Sequence, residues 1–201
     1  MTGIDLSPAT LVRARAKLAE EPSDVRSRVT LLETDARRMD LPATSTFDLA
    51  ILPFRVMQHL ITIENQLDVL TRVRERLRPG GRLVFDVFNP HFALMTRDRS
   101  AETEDTPEQA LPDGRTLRRT IRVLAVHWVE QTSDLELMYY VRTGDRTARI
   151  VQEFRMRFFT PSEIAHLVAR AGFEVDAMFG GFDRRPLDDA APEIVVVASA
   201  P

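Results

Sequence analysis

Between residues 47 and 88 the chain changes its hydrophobic period twice. Phe47-Asp48-Leu49-Ala50-Ile51-Leu52 is an apolar run of strand length closed by Pro53, and Ile63, Leu67, Leu70, Val73 and Leu77 then recur at helical spacing. Pro79-Gly80-Gly81 breaks that helix with a tight turn, and Arg82-Leu83-Val84-Phe85-Asp86-Val87-Phe88 is a second buried strand. The same rhythm precedes it. Gly3-Ile4-Asp5-Leu6 reads as the end of a strand, Ser7 caps a helix with Pro8 at its first position, and Leu11, Ala14 and Leu18 mark one face. Val29 to Glu33 is the next short strand. Strands that alternate with helices demand a parallel sheet joined by right-handed crossovers.

After Asn89-Pro90 the pattern becomes antiparallel. Residues 101–115, with Pro107, Pro112 and Asp113-Gly114, read as an exposed loop. Three β-type runs follow, Leu117 to Val129, Leu135 to Val141 and Arg149 to Phe159, with turns near Ser133 and Gly144. In the third run Ile150, Gln152, Phe154, Met156 and Phe158 alternate with more polar neighbours, which predicts a half-buried strand. Thr160-Pro161-Ser162-Glu163 then gives a helix cap, a first-turn proline and a capping-box glutamate, with Gly172 past the helix end. Two closing strands, 173–179 and 193–198, complete one domain over residues 1–201, with 101–159 as a loop and antiparallel sheet inserted within it.

At 201 residues and 44% hydrophobic content the chain can bury a full core. A net charge of -3 argues against a protein built to hold nucleic acid, no apolar run reaches membrane-spanning length, and no basic-then-apolar leader opens the chain. With no cysteine there is no disulfide or thiolate chemistry, which fits a reducing compartment, and the lack of a spanning run or leader signal leads to the expectation of a cytoplasmic protein. His59, His91, His127 and His166 are scattered without metal-ligand spacing, and no metal site is expected.

Two carboxylates carry most of the functional signal. Asp5 stands where a strand stops and a helix begins, the place from which an acid accepts bonds from vicinal ribose hydroxyls; as a purely structural group it would complement the helix dipole. Asp35 holds the equivalent place one crossover later, within reach of an exocyclic adenine amine, or else is a solvated loop acid.

These residues carry a resemblance. Gly3-Ile4-Asp5-Leu6-Ser7, Asp35-Ala36, Phe47 to Ala50, Pro53 to Leu60 and Leu77 to Pro90, with its Leu-Arg-Pro-Gly-Gly turn, resemble class I S-adenosylmethionine-dependent methyltransferases. The likeness is close over residues 1 to about 90 and looser over Ala171-Gly172-Phe173 and the last two strands. It implies a Rossmann-like α/β sheet with helices on both faces and S-adenosylmethionine as cofactor. Asp5 would bind the ribose, Leu6 would lie beside the adenine, Asp35 and Ala36 would read its edge, and Pro53, Phe54 and Arg55 would approach the methionine end. The family also carries a glycine-rich loop after a first strand. None of the eight glycines here forms Gly-x-Gly. The expectation is therefore a sheet without its first strand and loop, with the β-rich insertion following the strand at 82–88.

The function expected is methyl transfer to an oxygen, nitrogen or carbon of a small molecule by in-line displacement, with no nucleic acid or membrane partner. The insertion is the candidate acceptor lid. His59 is a candidate to position or deprotonate the nucleophile, and Tyr140 and Arg155, with Trp128 and Tyr139, are candidates to contact the acceptor. The alternative is an inactive, truncated methyltransferase-like binding module or partner-dependent subunit that associates through an open sheet edge. A nicotinamide-dependent oxidoreductase would suit Asp5 but leaves the Pro-Gly-Gly turn and Asp35 without a place.

Overall fold

The computed structural model describes residues 1–42, 44–96, 98 and 100–201. Chain order runs β1 (Thr2–Asp5), α1 (Pro8–Ala19), α2 (Ser23–Arg26), β2 (Thr30–Glu33), β3 (Phe47–Leu52), α3 (Val56–His59), α4 (Ile63–Arg76) and β4 (Leu77–Phe88). After α5 (Phe92–Met95) come β5 (Thr103–Ala110), β6 (Thr116–His127), β7 (Thr132–Thr143) and β8 (Arg146–Arg157). The chain closes with α6 (Pro161–Arg170), β9 (Glu174–Phe179) and β10 (Glu193–Ser199). Both caps read from the sequence form: the Ser7 hydroxyl accepts the Thr10 amide at 3.3 Å, and the Thr160 hydroxyl accepts the Glu163 amide at 3.4 Å.

The strands fall into three sheets. β1 and β2 pair in parallel, and β3 and β4 pair in parallel within the order β3-β4-β10-β9, where β10 runs antiparallel to both neighbours. Among the described residues no ladder joins β1 to β3, so the parallel sheet is parted where the sequence reading leaves out a strand. The two pieces still share a core. Ile4 and Leu32 pack against the cluster of Val69, Leu70, Leu83, Phe85 and Val87. Leu52 on β3 is buried, whereas Leu49 and Ile51, on the other face of the same strand, remain half exposed.

The Pro-Gly-Gly turn does not end α4 and restart the chain in a separate strand, as the sequence suggested. It lies inside β4 as an irregularity, and the register with β3 jumps from Phe47 opposite Leu77 to Leu49 opposite Arg82. Gly80 takes a φ of +76°, and a Cβ on Gly81 would sit 2.9 Å from the Arg78 carbonyl oxygen. The turn is stitched to the chain end, with the Gly80 amide donating to Ala200 and the Ala200 amide donating to Gly81 at 2.8 Å.

The insertion is a four-stranded antiparallel sheet, β5-β6-β7-β8. The stretch expected as an exposed loop contains β5. Pro107 concealed it, and the structure tolerates that proline because β5 is an edge strand whose register slips between Thr106 and Gln109. β8 is half-buried only at its end: residues 146–153 are exposed on both faces, and burial begins at Phe154, Met156 and Arg157. The outer part of this sheet extends past the core, so alternation there has nothing to pack against.

Two buried side chains fasten the insertion to the main sheet. Gln58 is 3% exposed; its amide nitrogen donates to the Arg157 carbonyl on β8 at 2.8 Å, and its oxygen accepts the Phe88 amide on β4 at 2.8 Å. Arg157, 9% exposed, pairs with Glu163 of α6 at 2.7 Å and donates to Gln131 at 3.0 Å. Glu163 therefore does not complete a capping box with its side chain; the carboxylate accepts from Arg157 and Gln131 instead. Beside them the His59 ring lies 6.0 Å from that of Phe154, and desolvation there lowers the His59 pKa below its usual 6.5.

Two outcomes follow from this junction. Gln58→Leu strands a backbone donor and a backbone acceptor, so chemical denaturation should show a loss of about 2–5 kcal/mol, and a loss under about 0.5 would contradict the bridge. Because the folded pKa of His59 is depressed, its neutral form is favoured and stability falls as pH drops below 6.5. NMR titration should place the His59 midpoint below 6.5 and move it back toward that value in Phe154→Ala; a wild-type midpoint at or above 6.5 would refute the desolvation.

Candidate active site

The carboxyl ends of β1, β2, β3 and β4 carry the residues singled out in the sequence. Asp5 closes β1, half-buried, and its Oδ1 accepts the Ser7 amide at 2.7 Å, which fixes the carboxylate at the strand tip ahead of α1. Leu6, next to it, is exposed. Asp35 lies two residues beyond β2 and is not open: Arg37 grips it through Nε at 2.9 Å and Nη2 at 2.6 Å, and holds the carboxyl below its usual range. Ala36 packs against the core from the same turn.

Beyond Pro53, Phe54 and Arg55 adopt φ of 59° and 62°, two successive left-handed residues without glycine. Backbone of this kind costs of order 1–3 kcal/mol per residue and persists only where the surroundings impose it. The surroundings here are ionic. The Arg55 amide donates to the buried Asp86 carboxylate at 3.4 Å, its guanidinium lies 3.8 Å from the Phe88 ring centroid, and its Nη2 stands 3.5 Å from Glu193. Arg55 thus ties together the ends of β3, β4 and β10, and it leaves Phe54, 83% exposed, projecting from the turn.

Next to this turn lies a cavity of about 380 Å³ between the end of β4 and the insertion. Gln58, Phe88, Asn89 and His91 line it from the main domain, and Ile121, Val123, Ser133, Leu135 and Met156 from the sheet. Its walls are mostly apolar, with a few polar groups, the usual make-up of a small-molecule site.

Two acceptor candidates fall elsewhere. Along β7, Ser133 and Leu135 alternate with Asp134, Glu136 and Tyr140, so Tyr140 lies on the opposite face from the cavity, where it donates to Glu102 at 2.8 Å. Arg155 pairs in register with Asp134 and shares that face; with His127 it holds the Asp134 carboxyl well below the usual carboxylate range. His59 packs beside Phe154, and the histidine on the cavity wall is His91. Sequence reasoning missed Gln58, Asp86 and Glu193. Asp86 had a visible signal, a charge in the middle of Val84-Phe85-Asp86-Val87; Gln58 had none, since its partners come from β4 and β8. Among the described residues no three His, Asp or Glu side chains converge as metal ligands, and no helix is long and apolar enough to cross a membrane.

Comparison with known proteins agrees with this geometry. Residues 1–83 match the family described as a methyltransferase domain. No curated protein matches the sequence. Among solved structures, the chain is similar to the CcbJ methyltransferase from Streptomyces caelestis, with a TM-score of 0.75 and 22% identity over 98% of this chain and 73% of that one. A S-adenosylmethionine-dependent methyltransferase from Clostridium acetobutylicum ATCC 824 gives a TM-score of 0.77 at 15% identity, over 98% and 74%. CalS10, an amino pentose methyltransferase from Micromonospora echinaspora seen with bound S-adenosylmethionine, gives 0.71 at 22% identity, over 100% and 73%. Residues 1–83 thus carry the matched methyltransferase domain, and the chain as a whole has the fold of S-adenosylmethionine-dependent methyltransferases.

Proposed function

We propose that this chain methylates a small-molecule nucleophile held in the cavity beneath the inserted sheet. The observation that carries the proposal is the adjacency of that cavity to the Pro53-Phe54-Arg55 turn: Phe88 both lines the cavity and lies under the Arg55 guanidinium. The residues present fit the nucleoside part of the cofactor. Asp5 offers a fixed, half-buried carboxylate for ribose, with the exposed side chain of Leu6 next to it in the chain to cover a planar base. Asp35 can accept from an adenine amine only by sharing its oxygens with Arg37, which makes Asp5 the stronger anchor. For the methionine part no Gly-x-Gly loop exists in this sequence, and the Pro53 to Arg55 turn is the candidate backbone.

When bound, the cofactor supplies a methyl group already activated on a sulfonium. The protein's tasks are then to align a nucleophile behind that methyl and to exclude water. Apolar walls from Ile121, Val123, Leu135 and Met156 desolvate the acceptor, while Asn89, Ser133 and His91 orient it through hydrogen bonds. The cavity wall would hold the acceptor's nucleophilic atom toward the cofactor site, and His91 on that wall would be placed to take the proton that the acceptor sheds. The amino pentose named for CalS10 favours a ring-shaped acceptor. Tyr140 and Arg155 act in this account only through the sheet they stabilise, and His59 only through its packing at the junction.

A second reading, a subunit that needs a partner, is favoured by one observation: among the described residues β1 and β3 each have an unpaired edge, and Leu49 and Ile51 on β3 stay half exposed. Sedimentation separates the two, since a partner-dependent subunit self-associates or fails to bind cofactor alone.

Calorimetry with S-adenosylhomocysteine tests the main reading. Asp5→Ala should weaken binding at least tenfold, because charge-assisted bonds to ribose are lost, and unchanged affinity would remove Asp5 from the site.

A further inference from the structure

The cavity borders aromatic surface that the methyl-transfer chemistry does not use. Phe158, on the cavity wall, meets Trp128 edge-on with ring centroids 5.9 Å apart, and Trp128 lies nearly parallel to Phe92 at 6.1 Å and 22°. The three rings come from separate places. Phe92 opens α5, Trp128 sits in the turn between β6 and β7, and Phe158 follows β8. Folding thus brings them together beside the cavity, whose wall includes Phe158 as well as His91 and Met95 on either side of Phe92, with Trp128 48% and Phe92 56% exposed.

Packing does not account for that exposure. An aromatic ring placed only for core burial is covered, whereas these two, although stacked on each other, keep about half of their surface in water, in a row that begins at the cavity. The same turn is anchored from below, since Arg157 donates to the Glu130 carbonyl at 3.2 Å and to Gln131 at 3.0 Å. The platform is therefore held in place. A cavity of about 380 Å³ takes one ring and its substituents, so a larger acceptor extends beyond it, and the row of rings that starts at Phe158 is adjoining surface it can cover.

We infer that Phe92, Trp128 and Phe158 form a second acceptor subsite, which binds a planar aromatic group attached to the ring that enters the cavity. The inference rests on the reading of the cavity as the acceptor site. It makes the acceptor a two-part molecule: a small ring bearing the nucleophile inside, and an aromatic group stacked outside. The inner wall decides which atom is methylated, and the platform supplies affinity and the orientation of the whole molecule.

Trp128 is the sole tryptophan, so its emission reports directly on the subsite. The probes are phenyl and methyl glycosides of glucosamine, titrated into the full chain with S-adenosylhomocysteine present. The phenyl glycoside should change the tryptophan emission and bind roughly tenfold more tightly than the methyl glycoside. In Trp128→Ala, followed by calorimetry, that preference should fall to nearly one while affinity for S-adenosylhomocysteine is unchanged. Should Trp128→Ala fail to fold, Phe92→Ala carries the same expectation. Equal affinity of the wild type for the two glycosides, no emission change with the phenyl probe, or a preference that survives in the variant would each overturn the subsite. Failure of the methyltransferase reading itself would show separately, as absent S-adenosylhomocysteine binding in the wild type.

Discussion

The side-chain amide of Gln58 is the hinge pin on which the site depends. It is the group that reads both halves of the molecule at once, donating to a carbonyl of β8 and accepting an amide of β4 at the point where the parallel strands end. A buried amide with both ends satisfied tolerates little displacement, because any shift exposes two backbone groups to an apolar interior. The inserted sheet is consequently held with Ile121, Val123, Leu135 and Met156 toward the carboxyl ends of the strands. Arg157 adds a second constraint by linking the same strand to α6 and to the turn that bears Trp128.

A parallel sheet gathers its strand ends on one edge, and charge collects there for the same reason. Asp5 and Asp86, with Glu193 from the antiparallel β10, all stand at that edge, and Arg55 is the cation set among the last two. Burying Asp86 is tolerable only beside that guanidinium, and the left-handed Phe54-Arg55 turn is what brings it there. Strain in the turn and the ion cluster at the strand ends are thus one device, which projects Phe54 and places an apolar cavity beside it.

Much of this was legible in the residues. The alternation from Phe47 to Phe88, the Ser7 and Thr160 caps, and Asp5 at a strand tip are local signals, fixed by a few neighbouring side chains, and the structure keeps each of them. What escaped depends on distant partners. Pro107 hid β5 because a proline is acceptable only at an edge strand, and edge position is a property of the finished sheet. Tyr140 and Arg155 suggested acceptor contacts as residues of the insertion, but which face of β7 and β8 meets the main domain is settled by Gln58, 97 residues from Arg155 in sequence. The grip of Arg37 on Asp35 was open to inspection as an i, i+2 pair, although only the folded turn makes it bidentate.

The most direct test of the account is a crystal structure of this chain with S-adenosylhomocysteine bound. The account predicts the ribose hydroxyls on the Asp5 carboxylate, the adenine against Leu6, and the sulfur near the Pro53 to Arg55 turn, directed into the cavity bounded by Phe88, His91 and Leu135. Ribose away from Asp5, or a sulfur facing away from that cavity, would contradict it.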